Sequence, residues 1–246
     1  MAIYVTSDAH GHVRALDEAL SKISLASDDT LYVLGDMIDR GPDPLGVIKL
    51  VRSLPNAHVL KGNHEQIMLD AIIGQDPLDA ETWDINGGWT TREQLNDMEF
   101  EAYEELVRWM AGLPLYAVAE TEERPYLLVH AGIETEAARA FLLEHGVDCA
   151  DGAGATDADR ELLQQMLAVQ SSDDLLWIRH GYWDAPTGLL SAEGKGPVVV
   201  SGHTPTVSLG RYCEVGGLAG LDEESGRGQI VRLGGEDTAG VPDRID

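Results

Sequence analysis

Short apolar runs that stop on an aspartate or a histidine recur along this chain. Ile3-Tyr4-Val5-Thr6-Ser7 ends in Asp8-Ala9-His10-Gly11-His12. Leu31-Tyr32-Val33-Leu34 ends in Gly35-Asp36-Met37-Ile38-Asp39-Arg40-Gly41, and His58-Val59-Leu60-Lys61 ends in Gly62-Asn63-His64-Glu65. Each ending is followed by apolar residues at helical spacing: Val13, Leu16, Leu20 and Ile23; Val47, Ile48 and Val51; Ile67, Met68, Ala71 and Ile72. Strand, polar loop and helix, repeated in this way, predict βαβ units and a parallel sheet. Ligands of such sheets gather at the carboxyl ends of the strands, so these loops are expected to converge. Two later runs end alike. Tyr126 to Val129 leads to His130-Ala131-Gly132, and Pro197 to Val200 leads to Ser201-Gly202-His203-Thr204-Pro205.

The stretch from Leu34 to Gly41 places Asp36, Asp39 and Arg40 within five residues of one another at the end of an apolar strand. Buried carboxylates need a partner, and metal ions suit them; an arginine suits an oxyanion. Alone, the stretch reads equally well as a strand and a tight turn. The other strand ends alter that balance. A lone histidine is more often a satisfied structural residue. His10, His130 and His203 at strand ends, with His64 in the loop after the third strand, interleaved with Asp8, Asp36 and Asn63, are hard to explain in that way. Carboxylate, imidazole and amide oxygen suit manganese, iron or zinc. These ligands are too many for one ion with open positions and fit two ions that share a carboxylate.

Residues 74 to 100 look irregular, with a turn at Asn86-Gly87-Gly88-Trp89. Helices are predicted over Phe100–Ala111, Glu136–Glu144 and Asp159–Gln170. Leu175 to Arg179 reads as a short apolar segment that ends on an arginine. Weak strands near Arg211–Val215 and Gln229–Leu233 are expected to finish a second sheet. Residues 1–235 read as one domain and 236–246 as a polar tail. The formal net charge of −26 disfavours nucleic acid and anionic membrane as partners. No apolar run reaches the ~20 residues of a membrane span, and the N-terminus lacks a signal-peptide pattern. A cytoplasmic protein is expected, with Cys149 and Cys213 as free thiols.

The motifs Asp8-Ala9-His10-Gly11, Gly35-Asp36-Met37-Ile38-Asp39-Arg40-Gly41, Gly62-Asn63-His64-Glu65, Val129-His130-Ala131-Gly132 and Gly202-His203-Thr204-Pro205 resemble those of the calcineurin-like metallophosphoesterases. More narrowly, they resemble the phosphoprotein phosphatases of bacteria and phages. They occur in family order. Asn86-Gly87-Gly88 is similar to the family's short segment between the third and fourth motifs. Ser7 is a departure, since most members have glycine there.

The resemblance implies an α/β fold: an αββα sandwich of two mixed sheets flanked by helices. It implies that Asp8 and His10 hold a first ion, that Asn63, His130 and His203 hold a second, and that Asp36 bridges both. Manganese is the expected metal, with iron or zinc as alternatives. His64 would protonate the leaving oxygen and Asp39 would orient it. Arg40 would grip the phosphoryl oxygens, with Arg179 and Asn86 as further phosphate contacts. Two ions with two carboxylates and one hydroxide sum to about +1, which the arginines raise to about +3, so an acidic protein can still present a positive pit.

Hydrolysis of phosphoserine or phosphothreonine in proteins is the leading expectation. Symmetrical hydrolysis of dinucleoside tetraphosphates is the alternative. Relatives with that second activity usually show glutamine and cysteine around the first motif's glycine, whereas this chain has His10-Gly11-His12. A non-catalytic metal-dependent binding module would be expected to lose His64, Asp39 or Arg40, and all are present.

Overall fold

The computed structural model describes residues 1–23, 25–74, 76–179, 186–204 and 230–234, and the backbone of 244–245. Its first sheet holds β1 (Ile3–Thr6), β2 (Thr30–Val33), β3 (Ala57–Val59) and β7 (Val231–Leu233), in the order β3-β2-β1-β7. The second holds β4 (Tyr116–Glu120), β5 (Pro125–Val129), β6 (Val198–Val200) and β8 (Arg244–Ile245), in the order β4-β5-β6-β8. β1, β2 and β3 pair parallel, as do β5, β6 and β8, while β7 on β1 and β4 on β5 are antiparallel. Both sheets are therefore mixed, as expected.

Period-two alternation sorts each strand between two cores. Ile3 and Val5 of β1, Tyr126 and Leu128 of β5, Val198 and Val200 of β6, and Val231 and Leu233 of β7 meet between the sheets. The alternate residues face outward onto helices. Leu31 and Val33 pack with α1 (Val13–Ile23), α2 (Pro44–Ser53), α3 (Asn63–Ile73) and α6 (Phe100–Ala111). Leu127, Val129 and Val199 pack with α7 (Thr135–Glu144), α8 (Arg160–Ala168) and α9 (Ser172–Trp177). Helix, sheet, sheet and helix form the four layers.

Four elements differ from expectation. Residues 74–100 are not irregular: they carry α4 (Pro77–Ile85) and α5 (Trp89–Asn96). Asp76 caps α4 by accepting from the Leu78 N–H, with Pro77 in the first turn. The helical signal is weak because only Trp83 of α4 is buried. Strand β4 was not foreseen, since alanines at 117 and 119 blunt its alternation. Strand β7, expected in the second sheet, pairs instead with β1 in the first. The strand expected near Arg211–Val215, together with Pro205 and Cys213, lies outside the described residues. Cys149 is a buried free thiol. No helix among the described residues is long and apolar enough to cross a membrane.

The inter-sheet layer predicts a stability contrast. Leu128 is fully buried between the sheets, whereas Leu143 on α7 is 59% exposed. Leu128→Ala should lower the unfolding free energy by about 2–5 kcal/mol. Leu143→Ala should change it by no more than about 0.5 kcal/mol. Urea midpoints at constant m-value would measure both.

Candidate metal centre

The ends of β1, β2, β3, β5 and β6 point to one place, and backbone bonds lace their loops together. Asp8, His10 and Gly11 donate N–H bonds to the carbonyls of Gly35, Asp36 and Met37 at 2.9–3.0 Å. Gly202 donates to the His130 carbonyl at 2.8 Å, joining the loops after β5 and β6. The His203 N–H reaches the Asp8 carboxylate at 3.0 and 3.2 Å, which ties the second sheet's loop to the first.

Asp36 sits at the centre. Its Oδ1 accepts the His64 N–H at 2.9 Å, at the N-terminus of α3. Its Oδ2 faces His130 Nε2 at 3.5 Å, His10 Nε2 at 3.6 Å and His64 Nε2 at 4.0 Å. Two clusters of ligand-type atoms result: His10 with Asp36 and His64, and Asp36 with His130 and His203. Within each, the atoms lie within 4.8 Å of one another, and Asp36 belongs to both. Asp8 reaches within 4.0 Å of His10 Nε2.

The donor chemistry fits divalent ions. His10 Nδ1–H donates to the Ile38 carbonyl at 2.9 Å and His130 Nδ1–H to the Leu34 carbonyl at 2.8 Å. Such outer bonds fix the tautomer and turn the Nε2 lone pairs inward. Asn63 Oδ1 then lies 2.8 Å from His130 Nε2 and 3.0 Å from His203 Nδ1. Asn63 Oδ1, His130 Nε2 and Asp36 Oδ2 are then acceptors facing one another, so they need a proton or a cation among them. Arg40 already brings one cation, its Nη1–H reaching His10 Nε2 at 3.2 Å. His203 Nε2 is buried and finds no partner among the described residues.

The electrostatics shows the same need. Burial alone would raise the Asp36 carboxyl, but the charges of His130, His64 and His10 hold it well below its usual range. Burial works against protonation of His130, yet Asp36 outweighs it and lifts the imidazole to about 9. Burial, with the nearby charges of His130 and Arg179, pushes His203 down to about 2. Burial likewise lowers His10. Divalent ions would supply the positive charge that Asp36 otherwise draws onto its imidazole neighbours.

Burial opposes protonation of His64, but Asp36 and a 2.7 Å bond from Nδ1 to Asp39 Oδ2 raise its pKa. Its Nε2 is buried without a partner among the described residues. Arg179 lies just beyond α9, which is anchored by the Ala131 N–H on the Leu175 carbonyl at 2.8 Å, and burial lowers its pKa against the opposing charges of Asp8 and Asp36. The Asn86 amide turns back to donate to the Thr82 carbonyl at 2.8 Å, closing α4.

Glu65, the last residue of the third motif, has a structural role of its own. It is fully buried, and its carboxylate accepts N–H bonds from Asp36, Met37 and Gly62, each at 2.8 Å. It therefore clamps the loop after β2 to the loop after β3. Burial and the charge of Asp36 push its pKa up to about 7 against those three donors. Its signal in the sequence was a carboxylate with no visible basic partner. Ser7, the departure in the first motif, is buried beside Gly202, where an added Cβ would land on the serine hydroxyl and on Asp8.

The model of the calcineurin-like phosphoesterase family matches residues 1–229. The chain is 31% identical over 219 residues to the symmetrical bis(5'-nucleosyl)-tetraphosphatase of Proteus mirabilis, covering 87% of this chain and 68% of that protein. Among solved structures, one provisionally described as a diadenosine tetraphosphatase superposes with TM-score 0.53 at 18% identity, covering 95% of this chain and 89% of the other. A serine/threonine phosphatase from Saccharomyces cerevisiae superposes with TM-score 0.50 at 16% identity, covering 94% and 66%. Identities this low show the shared fold alone.

Metal content tests the shared carboxylate. Protein reconstituted with manganese and desalted should carry about two ions per chain by elemental analysis. Asp36→Asn should lower occupancy at both positions. His10→Asn and His203→Asn should each spare close to one ion.

Proposed function

Because this chain belongs to the calcineurin-like phosphoesterase family, we propose that it is a phosphohydrolase that uses two divalent ions to cleave dinucleoside polyphosphates symmetrically. The observation that carries the hydrolytic reading is Asp36, shared by two ligand clusters, with the His64–Asp39 pair beside it. Asp8, His10 and Asp36 would hold one ion, and Asp36, Asn63, His130 and His203 the other; manganese suits this mixture of oxygen and nitrogen donors. When bound, the ions supply Lewis acidity to the phosphoryl oxygens and to the attacking water.

The remaining work falls to the chain's own side chains. Arg40 and Arg179 grip the non-bridging phosphoryl oxygens and orient the phosphorus for in-line attack. His64 donates a proton from Nε2 to the departing oxygen, a need greatest for an alkoxide and smaller for the more acidic diphosphate leaving group of a tetraphosphate, and Asp39 keeps the Nδ1–H in place so that Nε2 faces the reaction. Cleavage at the centre of a tetraphosphate consumes one water and leaves two nucleoside diphosphates.

What puts dinucleoside polyphosphates first is the Proteus relative, named for that reaction and aligned along most of this chain. A second reading, phosphoserine or phosphothreonine in proteins, keeps the support of His10-Gly11-His12. His12 lines an open groove of about 620 Å³ with Arg14, Glu18, Pro42 and Asp43. With manganese-loaded enzyme, kcat/KM should be higher for diadenosine tetraphosphate than for a phosphoserine peptide. The reverse ranking would favour the protein-phosphatase reading and leave the metal centre untouched. No turnover of any phosphate ester by the loaded enzyme would refute both.

The acid role has its own measurement. His64→Asn should keep both ions while kcat falls by about 10²–10⁴-fold on an alkyl phosphate. The loss should be smaller on an aryl phosphate, whose acidic leaving group departs without a proton. Loss of metal in this variant would place His64 among the ligands.

A further inference from the structure

The loop residues Asp39 and Arg40 stand in succession with left-handed backbones, φ 69° and 66°. Neither is glycine, and L side chains rarely adopt this conformation. Both backbone N–H groups are answered by one piece of chain. Asp39 N–H donates to the Thr91 hydroxyl at 2.9 Å, and Arg40 N–H donates to the Gly87 carbonyl at 3.0 Å. Thr91 and Gly87 belong to the α4–turn–α5 segment, which supplies no metal-ligand candidate.

The same segment grips the Asp39 side chain. The Thr91 hydroxyl donates to Asp39 Oδ1 at 2.6 Å, so it both gives to and receives from this residue. The Trp83 indole N–H reaches both carboxylate oxygens at 3.1 Å. With His64 Nδ1 on Oδ2, the donors fix the plane of a carboxylate that has no exposure to water. Trp83 is itself held. Arg92 lies over its ring at 6.0 Å and pairs with Asp84. A Cβ on Gly88 would land on the indole atoms beside the N–H, so glycine there lets the ring come close. Gly87, at φ 90°, packs against the Arg40 side chain.

We propose that Trp83 and Thr91 are positioning residues for hydrolysis: they lock the Asp39 carboxylate, and through it the orientation of the His64 imidazole that delivers the proton. This inference rests on the reading of His64 as the acid. It gives the α4–α5 segment a chemical task besides its packing. Neither residue touches the metal-ligand set directly, so removing their donors should weaken proton delivery and leave the ions in place.

Thr91→Val removes the hydroxyl at nearly constant volume, Thr91→Ser keeps it, and Trp83→Phe removes the indole donor independently. Manganese-loaded variants would be compared on an alkyl phosphate and an aryl phosphate with an acidic leaving group, with metal content measured in each. For Thr91→Val and Trp83→Phe, kcat on the alkyl phosphate should fall on the order of 10-fold or more, within the range for loss of acid catalysis. KM and metal content should hold, and the aryl phosphate should lose clearly less. Thr91→Ser should restore kcat to within about twofold, since the hydroxyl donor returns. In a His64→Asn background, Thr91→Val should cost little more, because residues acting through one group are not additive. Equal losses on both substrates, a full further loss in the His64→Asn background, or loss of metal would overturn the proposal. If His64→Asn shows the leaving-group dependence and neither Thr91→Val nor Trp83→Phe does, the positioning role alone falls. If His64→Asn itself shows none, the acid reading falls and takes this role with it.

Discussion

Asp36 is the contact on which both halves of the molecule depend. Its carboxylate is almost fully buried, with imidazoles of the first sheet's loops on one side and of the second sheet's loops on the other. A buried anion of this kind is tolerated only with opposite charge around it. Protons on the imidazoles provide some, and divalent ions would provide more. The inter-sheet core of Val5, Leu128 and Val200 therefore has a second consequence. By closing the sheets face to face, it brings His130 and His203 to a carboxylate that the first sheet carries.

The centre is built in unfavourable backbone. Among the described residues, the non-glycine positions with left-handed φ are Asp8, His10, Asp36, Asp39, Arg40, His203 and, far from the site, Asp151. For an ordinary L-residue this conformation costs roughly 1–2 kcal/mol, and it persists where surroundings over-determine it. Those surroundings are visible. Glu65 receives the N–H groups of Asp36 and Met37, the loops after β1 and β2 bond to each other, and the α4–α5 segment receives those of Asp39 and Arg40. Sharp turns at strand ends aim several side chains at one point, and the buried bonds behind them hold that aim.

An acidic surface and an anionic substrate are compatible because the relevant charge is local. The chain's net charge is −26, but Arg179 lies within electrostatic reach of Asp8 and Asp36, and each divalent ion held there would add two positive charges. The surface sets the rate of approach, and the pit sets what is held once it arrives.

The residues that gather around Asp36, the βαβ beginning and the alternation that builds two sheets were legible in the sequence, because each is a local property. Strand endings such as Asp8-Ala9-His10 and Gly62-Asn63-His64 announce chemistry wherever the strand happens to sit. Period-two hydrophobicity marks a strand but is silent on its neighbour, so β7 was expected in the wrong sheet. β4, with alanines between its larger residues, barely registers at all. The α4–α5 segment shows the limit most clearly. Trp83 and Thr91 lie 44 and 52 residues from Asp39, and nothing in their local pattern marks them. Their link to Asp39 exists only because α4 docks on α3 and the Gly87-Gly88 turn folds the chain back over Arg40. The sequence alone determined which residues could do chemistry, because donor type and spacing are local. Only the tertiary structure decided which residues hold them in place, because a buried hydrogen bond depends on distance in space.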